Sequence, residues 1–333
     1  MASLSALLAS GKVLLADGAT GTNLFAMGLT SGDAPEMWNM EHPDRVQALH
    51  QGFVDAGADI ILTNTFGGNA RRLMLHGMEH RVHEINQLAA QHARTVADKA
   101  GRPVVVAGSV GPTGDLFEPL GELTEAMAIE VFSEQMAGLK AGGADVAWIE
   151  TMSSLEEIRA AAVAAARVGI PYTFTASFDT AGRTMMGITP AALVEFAQEL
   201  SPPPVAIGAN CGVGASDLLI SILGMTAKAA GIAIIAKANA GIPQFIGTTI
   251  HYSGTPELMA NYAGLALDSG AQIVGGCCGT GFGHLSAMRH AVDAHHAGAR
   301  PDEAKVVAEL GPLQAPGAKS GHRVSEGRRN RRT

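Results

Sequence analysis

Three cysteines are the residues of this 333-residue chain best suited to chemistry. Cys211 stands in Gly208-Ala209-Asn210-Cys211-Gly212-Val213-Gly214, and Cys277 and Cys278 in Ile273-Val274-Gly275-Gly276-Cys277-Cys278-Gly279-Thr280. Each follows a short apolar run, among glycines that let the backbone turn tightly or another group come close. An odd number of cysteines, two of them adjacent, does not make a disulfide framework. Three thiolates from two strand ends make instead a metal site, and soft sulfur selects zinc over magnesium or calcium. Three protein ligands leave the fourth tetrahedral position open, as a catalytic zinc requires. Three anionic sulfurs already neutralise the ion, so such a site is poor at making hydroxide and good at binding a fourth thiol. A free thiol, with a pKa near roughly 8.5, is ionised to only a few per cent at neutral pH, and coordination removes its proton. The chemistry implied is activation of a substrate thiol as a nucleophile and alkyl transfer to it. A His-Glu-x-x-His constellation, which a zinc hydrolase would use, is not in the sequence.

The thiols need elements to hold them. Runs at Lys12–Gly18, Asp59–Asn64, Pro103–Gly108, Val146–Glu150, Pro171–Ala176, Val205–Asn210, Ala233–Lys237 and Ile273–Gly276 are short, continuous and apolar. Strands buried on both faces of a parallel sheet look like this. Between them, helical periodicity predicts helices near 44–57, 80–99, 124–141, 154–168, 190–200, 215–230, 256–269 and 283–297, with Asp44 and Gly57 capping the first. Residues 18–43 read as a long loop. Strand and helix alternating eight times predict an α/β fold, a single (β/α)8 TIM barrel over residues 1–310. Residues 311–333, rich in Pro, Gly, Ser and Arg, read as a disordered basic C-terminal tail.

Composition narrows the class. The chain is 47% hydrophobic and 16% charged, typical of a soluble enzyme, and its net charge of −8 argues against a nucleic-acid surface. No apolar run is long enough to span a bilayer, and the N-terminus lacks a basic leader segment. Free cysteines suit a reducing compartment, so a cytoplasmic location is expected.

In such a barrel, site groups come from the C-terminal strand ends. Those ends carry Asp17, Thr63, Asn64, Ser109, Glu150, Asn210, Cys211, Asn239, Cys277 and Cys278. Asp17 and Glu150, as acids on that rim, suit a thiol substrate that carries an ammonium group.

Seven segments resemble the homocysteine S-methyltransferase family: Asp17-Gly18-Ala19-Thr20-Gly21-Thr22, Gly57–Phe66, Gly108–Thr113, Ile149-Glu150-Thr151, Gly208–Cys211, Asn239-Ala240-Gly241-Ile242-Pro243 and Gly275–Thr280. The resemblance spans about residues 12–298. It implies a zinc-containing (β/α)8 barrel that methylates homocysteine to methionine, with Cys211, Cys277 and Cys278 as ligands. It also implies that Asp17 and Glu150 contact the amino-acid end of homocysteine, helped by Asn210 and Ser109, with Asn239 near the zinc. Family donors are betaine, S-methylmethionine, S-adenosylmethionine and methylcobalamin. The stretches Asp17–Leu29 and Gly182–Gly187 are most similar to bacterial betaine-type members, so betaine is the expected donor. Thr63–Phe66 and Asn239–Pro243 are similar to the homocysteine module of the cobalamin-dependent enzymes, where a partner corrinoid protein would bring the methyl group. Quaternary ammonium groups are held over aromatic faces at roughly 0.5–2 kcal/mol per contact. Trp38, Phe25 and Tyr252 are the candidates for that surface, although the vertebrate betaine enzyme's aromatic pattern does not follow strand two, where Phe66-Gly67-Gly68-Asn69 stands. Asp293-Ala294-His295-His296-Ala297-Gly298 matches a corrinoid-binding pattern, which its place in the last helix makes a coincidence. A homo-oligomer is compatible with all of this.

Overall fold

The computed structural model describes residues 3–229, 231–246 and 249–314. The apolar runs become β1 (Leu14–Leu15), β2 (Ile60–Leu62), β3 (Val105–Val110), β4 (Val146–Met152), β5 (Tyr172–Ala176), β6 (Ala206–Cys211) and β7 (Ala233–Ala238). A hairpin of β8 (Pro243–Ile246) and β9 (Thr249–Tyr252) intervenes before β10 (Ile273–Gly276). Eight strands form one parallel sheet in the order β1-β10-β7-β6-β5-β4-β3-β2. A bridge between Ala16 and Ile60 brings its two edges together, so the sheet is a nearly closed α/β barrel.

Helices surround it. In chain order they are α1 (Leu4–Ala9), α2 (Thr20–Ala26), α3 (Trp38–Glu41), α4 (Pro43–Asp55), α5 (Ala70–Leu73), α6 (Val82–Ala97) and α7 (Glu125–Ala141). There follow α8 (Leu155–Val168), α9 (Pro190–Glu199), α10 (Ala215–Thr226), α11 (Pro256–Asp268), α12 (Phe282–Asp293) and α13 (Glu303–Leu310). Local chemistry starts many of them. Thr124, Ser154, Thr189, Thr255 and Asp302 each accept a backbone N–H of the first turn, and Pro43, Pro190 and Pro256 open their helices.

Several expectations are corrected. The supposed loop over 18–43 contains α2 and α3, and α4 starts at Pro43 behind His42, so Asp44 lies in the first turn rather than capping it. Gly57 does take the left-handed backbone expected just past α4, with φ of 100°. Gly311 to Gln314 lie against α10: Ser216 Oγ donates to the Gly311 carbonyl at 2.8 Å and the Gln314 N–H to Asp217 at 3.0 Å. The rest of the proposed tail, 315–333, lies outside the described residues. Asp293 ends α12 and pairs with Arg289, an ordinary helix-surface contact. Among the described residues no helix is long and apolar enough to cross a membrane.

Two apolar layers result. Inside the barrel Leu14, Ile60, Leu62, Val105, Trp148, Ile235 and Ile273 pack together, and Leu4 of α1 joins them. The larger layer lies between strands and helices. Trp148 points into the barrel core and is fully buried.

The seam between β1 and β2 is closed by two acids. Asp59 donates its N–H to the Leu15 carbonyl at 2.7 Å and accepts the Leu15 N–H at 3.0 Å. Asp17 accepts the Leu62 N–H at 2.7 Å and donates its own to the Ile60 carbonyl at 3.0 Å.

One buried group sets an acid limit on the fold. His50, in α4, is 1% exposed, and neither ring nitrogen has a hydrogen-bond partner. Burial, with His92 nearby, lowers its pKa to about 4. The folded chain therefore binds this proton more weakly than the unfolded chain does, and acid favours unfolding. The cost is absent above pH ~6.5, grows as pH falls, and reaches about 3 kcal/mol near pH 4. Urea unfolding from pH 8 to pH 4 should show this loss in the native protein, and His50→Leu should remove it. An equal pH slope in both proteins would contradict the assignment.

Candidate metal centre and substrate cavity

The sulfurs come from two strands separated by β7. Cys211 ends β6 with φ of 62°, a left-handed backbone rarely adopted by a side-chain-bearing residue. Cys277 and Cys278 follow β10. Their turn is stitched to the end of β7: the Cys277 N–H donates to the Ala238 carbonyl at 2.6 Å and the Ala240 N–H to the Cys278 carbonyl at 2.9 Å. Gly279 has φ of 79°, and a Cβ there would meet the Tyr252 ring 2.3 Å away. A Cβ on Gly276 would lie 2.3 Å from Thr280. Only glycine lets the turn close at these two positions.

The three sulfurs lie within 4.8 Å of one another, with Cys211 and Cys278 3.7 Å apart. All three are half-buried free thiols. Mutual hydrogen bonds and burial raise Cys211, while hydrogen bonds from Cys211 and Cys277 hold Cys278 low. Such a trio cannot ionise fully without a cation to share. Asn239, just past β7, donates to the Gly212 carbonyl at 2.8 Å and leaves its buried Oδ1 without a partner. The donor set is thus soft, convergent and flanked by a free oxygen, and it fits a zinc ion.

Asn210 positions this centre. Its Oδ1 accepts the Thr151 N–H at 2.9 Å and the Thr175 hydroxyl at 2.6 Å, and its Nδ2 donates to Thr151 Oγ1 at 2.8 Å and to Cys277 Sγ at 3.7 Å. Thr151 also has φ of 62°, so Asn210 holds a strained turn directly after Glu150. The protein itself occupies most of the Asn210 amide, which therefore shapes the site more than it could bind a ligand.

Of the two acids expected at this rim, Glu150 lines the same cavity and Asp17 does not. Glu150, 8% exposed, accepts the Ser109 hydroxyl at 2.5 Å, and burial raises its pKa to about 7. Asp17 is buried, and burial raises its pKa also. Beside it lies a residue that sequence reasoning missed: Lys237, whose Nζ donates to Asp17 Oδ1 at 2.9 Å. A lysine closing the apolar run Ala233-Ile234-Ile235-Ala236 was the available signal, since a strand buried on both faces has no free place for a charge.

The cavity has a volume of 510 Å³ and is lined by Cys211, Cys277, Cys278, Glu150, Ser109 and Lys237 at its inner end. Phe66, Glu36, Arg72 and His76 line another part of its wall and were not anticipated. None of the aromatic donor-site candidates lines it, although Tyr252 stands against the thiol centre. Trp38 is 4% exposed, edge-on to His42 with the Arg45 guanidinium 4.9 Å from its ring, and does not line the cavity. Phe25 is on the exposed face of α2, and Tyr252 is half-buried beside Cys278 and Gly279. Among the described residues neither lines the cavity.

Fold and site together define a parallel (β/α)8 barrel whose strand ends gather three thiols beside buried acids. Residues 14–292 match the homocysteine S-methyltransferase family model. The methionine synthases of Mycobacterium tuberculosis and Mycobacterium leprae are 31% and 30% identical over 85% and 84% of this chain. The chain spans 25% and 24% of their lengths, about a quarter. Crystal structures of the Escherichia coli homocysteine methyltransferase MmuM share the fold. Its oxidized form is 21% identical with a TM-score of 0.74, and its metallated form is 22% identical with a TM-score of 0.73; each covers 86% of this chain and 98% of its own. The chain belongs to the homocysteine S-methyltransferase family.

Proposed function

We propose that this chain transfers a methyl group to the sulfur of homocysteine, giving methionine, with Cys211, Cys277 and Cys278 holding zinc. The observation that carries this is the convergence of three thiols within 4.8 Å at the inner end of a cavity that also presents Glu150. A zinc ion held there would make the acceptor thiol a thiolate at neutral pH. Glu150 receives the ammonium group of the acceptor, and Ser109 orients that carboxylate through its 2.5 Å hydrogen bond. Asn210 fixes the Cys277 side of the centre. Transfer is a direct displacement: the acceptor sulfur forms a bond to the methyl carbon as the donor's carbon–heteroatom bond breaks. The bonding pair leaves with the donor atom and the thiol proton goes to solvent. With glycine betaine the leaving group is the neutral amine of dimethylglycine, so no acid has to protonate it. Rate enhancement then rests on thiol ionisation and on alignment.

Betaine is the donor we favour. Arg72 and His76 on the cavity wall match its carboxylate, and Phe66 and Glu36 match its cationic head. S-methylmethionine carries the same two groups. A second reading is favoured by Trp38 and Phe25 lying off the cavity and by relatives named methionine synthase. In it the methyl group comes from methylcobalamin on a partner corrinoid protein.

The experiment is methionine formation by zinc-loaded protein, with betaine, S-methylmethionine, S-adenosylmethionine and methylcobalamin supplied separately. Betaine turnover is the expected result. Turnover with methylcobalamin alone would transfer the chain to the corrinoid-dependent class, and no product with any donor would count against methyl transfer itself.

A further inference from the structure

Lys237 is the one charged side chain at the inner end of the cavity to which no role has yet fallen. It is 1% exposed, yet it lines the cavity beside Glu150 and the cysteines. Its aliphatic stem stands in the barrel interior, and the Trp148 ring centroid lies 5.7 Å from Nζ. A buried ammonium is retained only where acceptors meet it. It has three N–H donors, and the hydrogen bond to Asp17 at 2.9 Å uses one of them.

Asp17 is committed in turn. Its Oδ1 takes Lys237 and its Oδ2 takes the Leu62 N–H across the barrel seam at 2.7 Å. Both oxygens are therefore engaged by the protein, and a cation already sits against the acid that family resemblance would give to the substrate ammonium. The ion pair Asp17–Lys237 is neutral as a unit and offers the cavity unused N–H donors. Glu150, whose hydrogen bond from Ser109 engages one oxygen, is the remaining inner acid open to an ammonium group.

We propose that Lys237 reads the α-carboxylate of the acceptor thiol, that Asp17 orients Lys237, and that Glu150 alone takes the α-ammonium. This rests on the homocysteine reading of the site and divides the amino-acid end of the acceptor between two strands, β7 and β4. The acceptor class is then a thiol with a carboxylate three carbons from the carbon that bears sulfur, rather than any thiol with an amine.

The test is calorimetric binding of three thiols to zinc-loaded protein: homocysteine, 4-sulfanylbutanoate, which lacks the ammonium, and 3-aminopropane-1-thiol, which lacks the carboxylate. A charge-assisted hydrogen bond in a buried site predicts that the native protein prefers homocysteine to 3-aminopropane-1-thiol by about tenfold to 100-fold. Lys237→Met should bring that ratio close to unity while 3-aminopropane-1-thiol keeps its affinity. Because Lys237→Met strands a buried carboxylate, Asp17→Asn/Lys237→Met is measured beside it; the amide still accepts from Leu62, and the same loss of discrimination is expected. A native-like ratio in either folded variant overturns the proposal, as does equal weakening of both amines. Absence of binding for all three thiols by the native protein overturns the homocysteine reading itself, and this inference with it.

Discussion

Cys278→Ala should retain no zinc after dialysis and form methionine from homocysteine at least about 10³-fold more slowly than the native protein. The magnitude follows from two losses. An unactivated thiol is only a few per cent ionised at pH 7, which costs roughly 30-fold. The acceptor sulfur also loses its anchor, and misplacement of a reacting atom by about 1 Å can cost a further ~10²-fold. Cys278 tests the donor set directly, because its sulfur lies 3.7 Å from that of Cys211 and its substitution leaves the backbone hydrogen bond from Ala240 in place. Metal content by emission spectroscopy and initial rates with betaine test it together. Stoichiometric zinc with an undiminished rate would sink the three-thiol assignment, and a chelator should reproduce the loss in the native protein.

Asp59→Ala should destabilise the fold by about 2–3 kcal/mol, the cost of stranding a buried N–H together with the loss of a buried carboxylate that holds partly exposed cations. Asp59 is 3% exposed and faces three cations: Lys12 at 2.7 Å, Arg289 at 3.1 Å and Arg102 at 3.7 Å. Alanine also leaves the Leu15 N–H without its acceptor where the sheet closes on itself. Asp59→Asn keeps an acceptor for Leu15 and loses the charge, so an intermediate cost is expected. Urea unfolding of both variants at neutral pH measures this. A change below about 1 kcal/mol for alanine, the range of an exposed pair, would show that the seam is held by the strands themselves.

How much of this could be read from the chain depends on the length over which each signal repeats. The eight strands were legible because each is a continuous apolar run, and the cysteines because glycines mark both of their turns. The segment 18–43 was not. Its helices α2 and α3 are too short to show a period, and short helices owe their existence to packing rather than to propensity. The β8–β9 hairpin was missed for the same reason, with Pro243 at its start obscuring a strand. Trp38 was drawn toward the donor site by its type and its place in the supposed first loop, whereas Arg45 and His42 pack against its ring. Lys237 failed to stand out because one charge at the end of an apolar run resembles a strand terminus; only the fold shows that Asp17, 220 residues away in sequence, meets it.

The placement of the thiols on β6 and β10, with β7 between them, has a mechanical consequence. A cation held by Cys211, Cys277 and Cys278 ties together two strands that share no hydrogen bond and clasps the third under the tie. Affinity for the ion and rigidity of that arc of the wall then become one quantity, because whatever binds the folded form alone adds its binding free energy to folding, about 2.7 kcal/mol at 100 times Kd. The ion acts as a keystone: the side of the barrel that presents Lys237 and Asn239 is kept in register by the same bonds that await the acceptor, so an empty centre would lose substrate geometry and wall stiffness in a single step.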